Sequence, residues 1–424
     1  MKFKHVLILA GIFVGANAFS QKEVNYKESA VGPYILPELL TLNNGNKILN
    51  KKEWETSRRP EIIDFYKNEV YGVLPAMELP PISSKIVEQN TSALNNTAIR
   101  QQIQIIFGGH GRQLTINVLL YLPKGVAFPP VFIGYNFYGN QSVIDDSNIL
   151  LSDAWVNNNE SYGITENKTN DRSRGKRNYR WPINEIIGEG YGIATIYYGD
   201  IDPDRNNFSD GVHPLFYTGD QTRPKDNEWG SLSAWAWGLS RVMDYFEGHG
   251  PIDQSKFIVF GHSRLGKTSL WAGALDDRFD MVISNNSGCG GAALFRRNYG
   301  ETLSIVNQNF PHWFATNFKK YNDNENLLQV DQHMLIALMA PRPVYIASAE
   351  DDKWSDPKGE YLSGFYATPV YELYGKSGLT SQKLPETNRP VHTSIGYHIR
   401  TGKHDVTDYD WNQFIKFADI HLKE

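Results

Sequence analysis

The segment Lys256-Phe257-Ile258-Val259-Phe260-Gly261-His262-Ser263-Arg264-Leu265-Gly266-Lys267-Thr268-Ser269-Leu270-Trp271 decides the fold. Its first five residues are a short apolar run of buried-strand type. A tight turn with a central serine follows, bounded by Gly261 and Gly266. Thr268–Leu275 then has helical character. Strand, sharp turn and helix in this order lift a serine hydroxyl above the end of a sheet. The free N–H groups at the helix start are then available to a developing oxyanion. The turn departs from G-x-S-x-G, because Leu265 takes the second glycine position and Gly266 comes one later. A serine before a helix is ordinarily an N-cap; the apolar strand directly before Ser263 favours a nucleophile.

Outward from this turn, short apolar runs recur. Ile103–Phe107 and Leu114–Leu122 flank Gly108-Gly109-His110-Gly111 and predict an antiparallel hairpin. Pro130–Gly134, Gly192–Tyr197, Met281–Ser284, Pro343–Ala347 and Gly396–Ile399 complete, with Lys256–Phe260, a set of eight strand candidates. Helix-length stretches separate most of them. The clearest is Trp229–Glu247, where Leu232, Trp235, Ala236, Leu239, Val242, Met243 and Phe246 fall at helical spacing, so its tryptophans belong to the core. Another is expected at Glu61–Tyr71. The alternation predicts a mostly parallel, doubly wound α/β sheet with an antiparallel start. Residues 141–180 lack periodicity and read as an inserted loop region, its basic run Arg172–Arg177 as a solvated face.

Residues 1–18 have the form of a signal peptide: Lys2 and Lys4, an apolar stretch Val6–Gly15, then Ala16-Asn17-Ala18. The expected organisation is therefore a signal at 1–18, an N-terminal extension packed on the core at 19–90, and a catalytic domain at 91–424. Export to the periplasm or the medium follows, with no membrane association after signal removal. A formal net charge of −5 gives no reason to expect nucleic acid binding. The single cysteine, Cys289, excludes an intramolecular disulfide and any zinc site of two or more thiolates. Ten Trp and 23 Tyr suggest an aromatic-lined surface of the kind that binds carbohydrate.

An activated serine needs a base and an acid. His404, in Gly402-Lys403-His404-Asp405, follows the last strand, where an α/β-hydrolase carries its base. The order Ser, acid, His places the acid between them. The strand Pro343–Ala347 runs into Glu350-Asp351-Asp352-Lys353-Trp354, three carboxylates at the carboxyl end of a strand, where open α/β sheets build sites. The spacing of Asp351, Asp352 and Asp356 lacks the glycine and final glutamate of a calcium loop, so no metal is expected.

Gly261-His262-Ser263-Arg264-Leu265-Gly266-Lys267 resembles the G-C-S-R-x-G signature of glucuronoyl esterases, carbohydrate esterase family 15. Ser284–Gly291, Asp331-Gln332-His333, Ala340-Pro341-Arg342-Pro343, Gly402–Asp405 and Asn136–Asn140 are similar to its bacterial members. The resemblance implies an α/β-hydrolase fold, no cofactor, and a serine esterase of 4-O-methyl-glucuronoyl methylesterase type. Its substrates would be esters of (4-O-methyl-)glucuronic acid, borne on glucuronoxylan, with lignin alcohols. It implies Ser263 as nucleophile, His404 as base, and the main-chain N–H and guanidinium of Arg264 as oxyanion donors. Lys267, Glu301 and Trp354 match its sugar-binding positions. Arg296 and Arg297 are further candidates for contact with an acidic xylan. Two departures stand out. His262 replaces a cysteine that family members pair in a disulfide. Asn286 stands where many carry a glutamate acid, which leaves Asp352, ahead of Asp351 and Glu350, as the acid. The competing readings are an acetyl xylan or feruloyl esterase on the same fold, and a non-catalytic glycan-binding protein.

Overall fold

The computed structural model describes residues 24–249, 252 and 254–423; the expected signal peptide lies outside them. A ten-stranded sheet runs through the molecule. Its strands are β1 Ser83–Ser92, β2 Ala98–Gly109, β3 Arg112–Pro123, β4 Val131–Asn136 and β5 Gly192–Tyr197, followed by β6 Phe257–His262, β7 Met281–Asn285, β8 Val344–Ala349, β9 Val391–His392 and β10 Ile395–Arg400. The order is β1-β2-β3-β5-β4-β6-β7-β8-β10-β9. The inner pairs from β5 to β10 are parallel, while β1, β2, β3 and the short β9 pair antiparallel at the two edges. All eight expected strands are present. β1 and β9 are additional.

The β2–β3 hairpin closes through His110 and Gly111, both at positive φ (52° and 72°), a two-residue turn whose twist matches that of the strands. β4 to β8 are buried on both faces, as their unbroken apolar runs require. One face is covered by the helices Ser231–Phe246, Arg264–Leu275 and Pro357–Leu373, the other by Ile183–Gly188 and Asp408–Leu422. The expected helix at 61–71 belongs to a helical stretch over 51–70 that begins ten residues earlier. It buries Trp54 and Tyr66, and Tyr71 directly after it stacks on Trp271 at 4.5 Å.

Two expectations are corrected here. The aromatic excess is mostly interior, with Trp54, Trp235, Trp271 and Trp411 fully buried. The run Arg172–Arg177 is not simply a solvated face. Arg177 is buried among Tyr138, Tyr162 and Tyr179, donating to the last two hydroxyls, and Arg174 donates to the Ile149 carbonyl at 2.6 Å. These arginines give the 141–180 insertion, which has only short 3-10 turns, the contacts that order it.

Candidate active site

Ser263 directly follows β6 and caps the start of the helix Arg264–Leu275 at φ 59°, ψ −130°. A non-glycine residue in that region stores strain, which the surroundings must hold. Gly261 is what permits the turn: a Cβ there would collide with the Leu265 carbonyl oxygen and lie 2.5 Å from Ser269 Oγ. Gly266 passes close to Ser287, where a Cβ would come within 3.0 Å. The displaced second glycine therefore serves helix packing against the loop after β7.

Ser263 lines a cavity of about 290 Å³ together with Arg264, Lys267, Glu301, Trp354 and His404. The seven residues singled out in the sequence thus converge, since Asp352 also borders this cavity. His404 Nδ1 donates to Asp352 Oδ2 at 2.6 Å. Asp352 is buried, and burial alone would raise its pKa; the bonds from His404, with that from Asn286, outweigh this and hold the carboxyl below the usual range. Glu350 and Asp351 are exposed to solvent. The arrangement fixes the imidazole with Nε2 free for a proton.

The loop bearing His404 is held from two sides. Arg400 donates to the carbonyls of Lys403 (3.0 Å) and Asp405 (2.7 Å), and its Nε donates to Asp410. Arg180 pairs with Asp405. His262, beside Ser263, donates its Nδ1 to Asn285 Oδ1 at 2.6 Å, and its ring centroid lies 4.5 Å from that of His404. Burial and the adjacent His404 hold the His262 pKa well below the usual value, so it packs as a neutral ring.

Arg264 starts the helix, so its N–H has no intrahelical acceptor. Its guanidinium pairs with Asp204 and lies over the Trp313 ring at 4.8 Å. Asp204 also accepts from His312 Nε2 (2.9 Å) and Trp313 Nε1 (2.8 Å). Burial opposes ionisation of Asp204, but Arg264 and these donors hold it well below the usual carboxylate range. Lys267 Nζ donates to the Ser287 carbonyl at 2.7 Å and to Glu301 at 3.4 Å. Trp354 is half-buried.

Sequence reasoning missed Asp204, Phe310, Trp313 and the role of Asn286. Phe310 and Trp313 stack at 3.7 Å and form a wall of the cavity beside Arg264. Asn286, noted for lacking charge, donates its Nδ2 to Asp352 Oδ2 at 2.9 Å and so helps to hold that carboxylate. Arg296 and Arg297 do not face the cavity. Arg296 is buried on Asp331, and Arg297 is buried between Asp356 and Glu28.

A family model described as "Glucuronyl esterase, fungi" matches residues 185–375. The chain is 49% identical over 399 residues to a carbohydrate esterase from an unknown prokaryotic organism, covering 94% of this chain and 92% of the relative. Among solved structures it is similar to a promiscuous esterase of family CE15 from a marine bacterial metagenome, with a TM-score of 0.89 and 49% identity over 94% of this chain and all of that one. It is similar also to the glucuronoyl esterase of Solibacter usitatus, with a TM-score of 0.87 and 44% identity over 93% of this chain and all of that one.

Proposed function

The chain belongs to the glucuronoyl esterases, carbohydrate esterase family 15, and from that membership we propose that it hydrolyses esters of glucuronic acid by a Ser263–His404–Asp352 acyl-enzyme mechanism. The observation that carries the reading is the His404–Asp352 bond beside a cavity that holds both the strained Ser263 and the cationic Arg264 and Lys267. His404 Nε2 takes the Ser263 proton as Oγ attacks the C6 carbonyl, and Asp352 stabilises the imidazolium. The Arg264 N–H and guanidinium meet the oxyanion. His404 then protonates the departing alcohol. Water, deprotonated by the same imidazole, releases the uronate and restores Ser263.

The uronate is the acyl part, so its hydroxyl-binding groups must sit next to the nucleophile. Lys267, four residues on along the helix, and its partner Glu301 meet that requirement. Trp354 offers a ring to the sugar's C–H face. The natural substrate we infer is 4-O-methyl-glucuronate on glucuronoxylan esterified to a lignin alcohol. The form of residues 1–18 supports export. Among the described residues no helix is long and apolar enough to cross a membrane. The expected boundary at 90/91 would cut β1 Ser83–Ser92, which pairs with β2, so we place the start of the catalytic unit at β1 and the extension before it.

The test is hydrolysis of benzyl glucuronate against nitrophenyl acetate and a feruloyl ester, by wild type and by Ser263→Ala. Preference for the uronate and a loss of roughly 10⁴–10⁶ in the variant are expected. A preference for the acetyl or feruloyl ester, or turnover by Ser263→Ala at a few per cent of wild type, refutes the reading.

A further inference from the structure

A second and larger cavity, of about 550 Å³, opens on the same rim of the sheet as the nucleophile. β3 runs antiparallel to β5, with Val118 opposite Ile196, so the start of β3 lies at the carboxyl end of β5. There the side chains of Gln104, Gln113 and Thr115 meet the inserted loop, which contributes Asp153 and Trp155. Asp200 forms part of the lining. It is buried and accepts from the Asn117 backbone N–H (3.1 Å), Asn117 Nδ2 (2.9 Å) and Ser152 Oγ (3.1 Å). This cavity shares no lining residue with the Ser263 cavity, but one buried residue, Asp204, links the two walls. Pro203 is in its wall, and the next residue, Asp204, holds Arg264. Arg205, one further on, stacks on Trp155 at 4.8 Å and pairs with Asp210.

We propose that this cavity binds a neutral stretch of the polysaccharide whose uronate ester reacts at Ser263. The inference rests on the reading of the Ser263 site given above. Its size is in the range of sites that take small organic ligands. Its chemistry is that of polyol recognition: side-chain amides and a carboxylate to pair with hydroxyls, and an indole to cover a sugar's C–H face. The sign of its charge selects between the two parts of the substrate. Asp153, Asp200 and Asp210 line it; Asp210 and the neighbouring guanidinium of Arg205 offset each other, so the excess negative charge comes from Asp153 and Asp200. A uronate is therefore repelled here and attracted at Arg264 and Lys267, whereas an uncharged pentose chain meets only donors and acceptors. Asp200 and Asp210 are held by the partners named above, which leaves the exposed Asp153 as the carboxylate that can meet a hydroxyl.

The experiment titrates the full chain carrying Ser263→Ala with a neutral linear β-1,4-xylohexaose by calorimetry, and repeats it with Trp155→Ala and with Gln113→Ala added. Gln113 is exposed, so its variant reads the site even if the Trp155 variant folds poorly. Saturable binding to the parent protein, weakened at least tenfold by Trp155→Ala and severalfold by Gln113→Ala, is expected. With Ser263 restored, Trp155→Ala should lower kcat/KM on a glucuronoxylan ester at least tenfold more than on benzyl glucuronate. Absence of hexaose binding, equal binding by all three proteins, or equal losses on the two esters would overturn the proposal. Failure of the wild-type enzyme on benzyl glucuronate overturns the esterase reading instead, because the hexaose titration needs no turnover.

Discussion

Replacing Asp352 by Asn keeps the shape of the side chain and removes its charge. In the structure Asp352 Oδ2 accepts from both His404 Nδ1 and Asn286 Nδ2. When His404 takes the Ser263 proton, an imidazolium forms with its charge about 4 Å from that of the carboxylate. At an effective dielectric constant of about 20 that attraction is roughly 4 kcal/mol, or close to 10³ in rate. The neutral amide forfeits it. The variant also has to choose which end of the amide faces His404. If the NH₂ does, the imidazole is driven to the wrong tautomer and the loss approaches ~10⁴. A fall in kcat of roughly 10³–10⁴ is therefore expected, with KM changed less than about threefold, since the charge is needed only as the imidazolium forms. Steady-state hydrolysis of benzyl glucuronate, with a thermal melt to show that the variant folds, is the assay. Asp351→Asn, altering an exposed side chain, should stay within about twofold of wild type. A folded Asp352→Asn enzyme with more than about a tenth of the wild-type kcat refutes the reasoning.

Arg264→Ala should lower kcat by roughly 10²–10³ through the lost oxyanion donor; it also leaves Asp204 buried without its cation, which costs about 3 kcal/mol of stability, and a change confined to KM would mark Arg264 as a substrate clamp. Gly261→Ala drives a methyl into the Leu265 carbonyl, so ~3 kcal/mol of destabilisation and loss of turnover are expected, and a wild-type urea midpoint would contradict the tightness of the elbow. Glu360 is fully buried; burial raises its pKa to about 8, although Ser348, Gly288 and Ser287 donate to it. Its protonated form stabilises the fold fully below the unfolded pKa of about 4.3, and that stability is lost as pH rises through about 8. Glu360→Gln should thus match wild type in Tm near pH 4 and exceed it at pH 8.5, and parallel Tm profiles would refute the assignment.

The elbow was legible because its information is local: strand, turn and helix start occupy neighbouring residues. His404 and Asp352 were legible for a related reason, as each follows a buried strand whose apolar run marks it. β1 was not. It is an edge strand exposed on nearly every residue, so Ser83-Ser84-Lys85 carries no alternation for a buried face to impose. Asp204, Phe310 and Trp313 were invisible for a different cause. They reach Arg264 from sequence separations of 60, 46 and 49 residues, through loops whose composition resembles any other loop. Arg296 and Arg297 show the reverse error. Their charge suggested an acidic ligand, but Asp331, Asp356 and Glu28 already neutralise it inside the fold.

The loop that carries His404 is fastened by ring packing and by hydrogen bonds from arginine, with no sulfur in it. The chain's only cysteine, Cys289, is buried. The geometry of His404 is therefore indifferent to the thiol balance of its surroundings. With one cysteine, the chain has no intramolecular disulfide to form or to lose, so a reductant has no internal bridge to cut. The sensitivity moves elsewhere. A fastening made of charges yields to acid, once the buried Asp410 takes up a proton, and to guanidinium, which competes with Arg180 and Arg400 for the same oxygens.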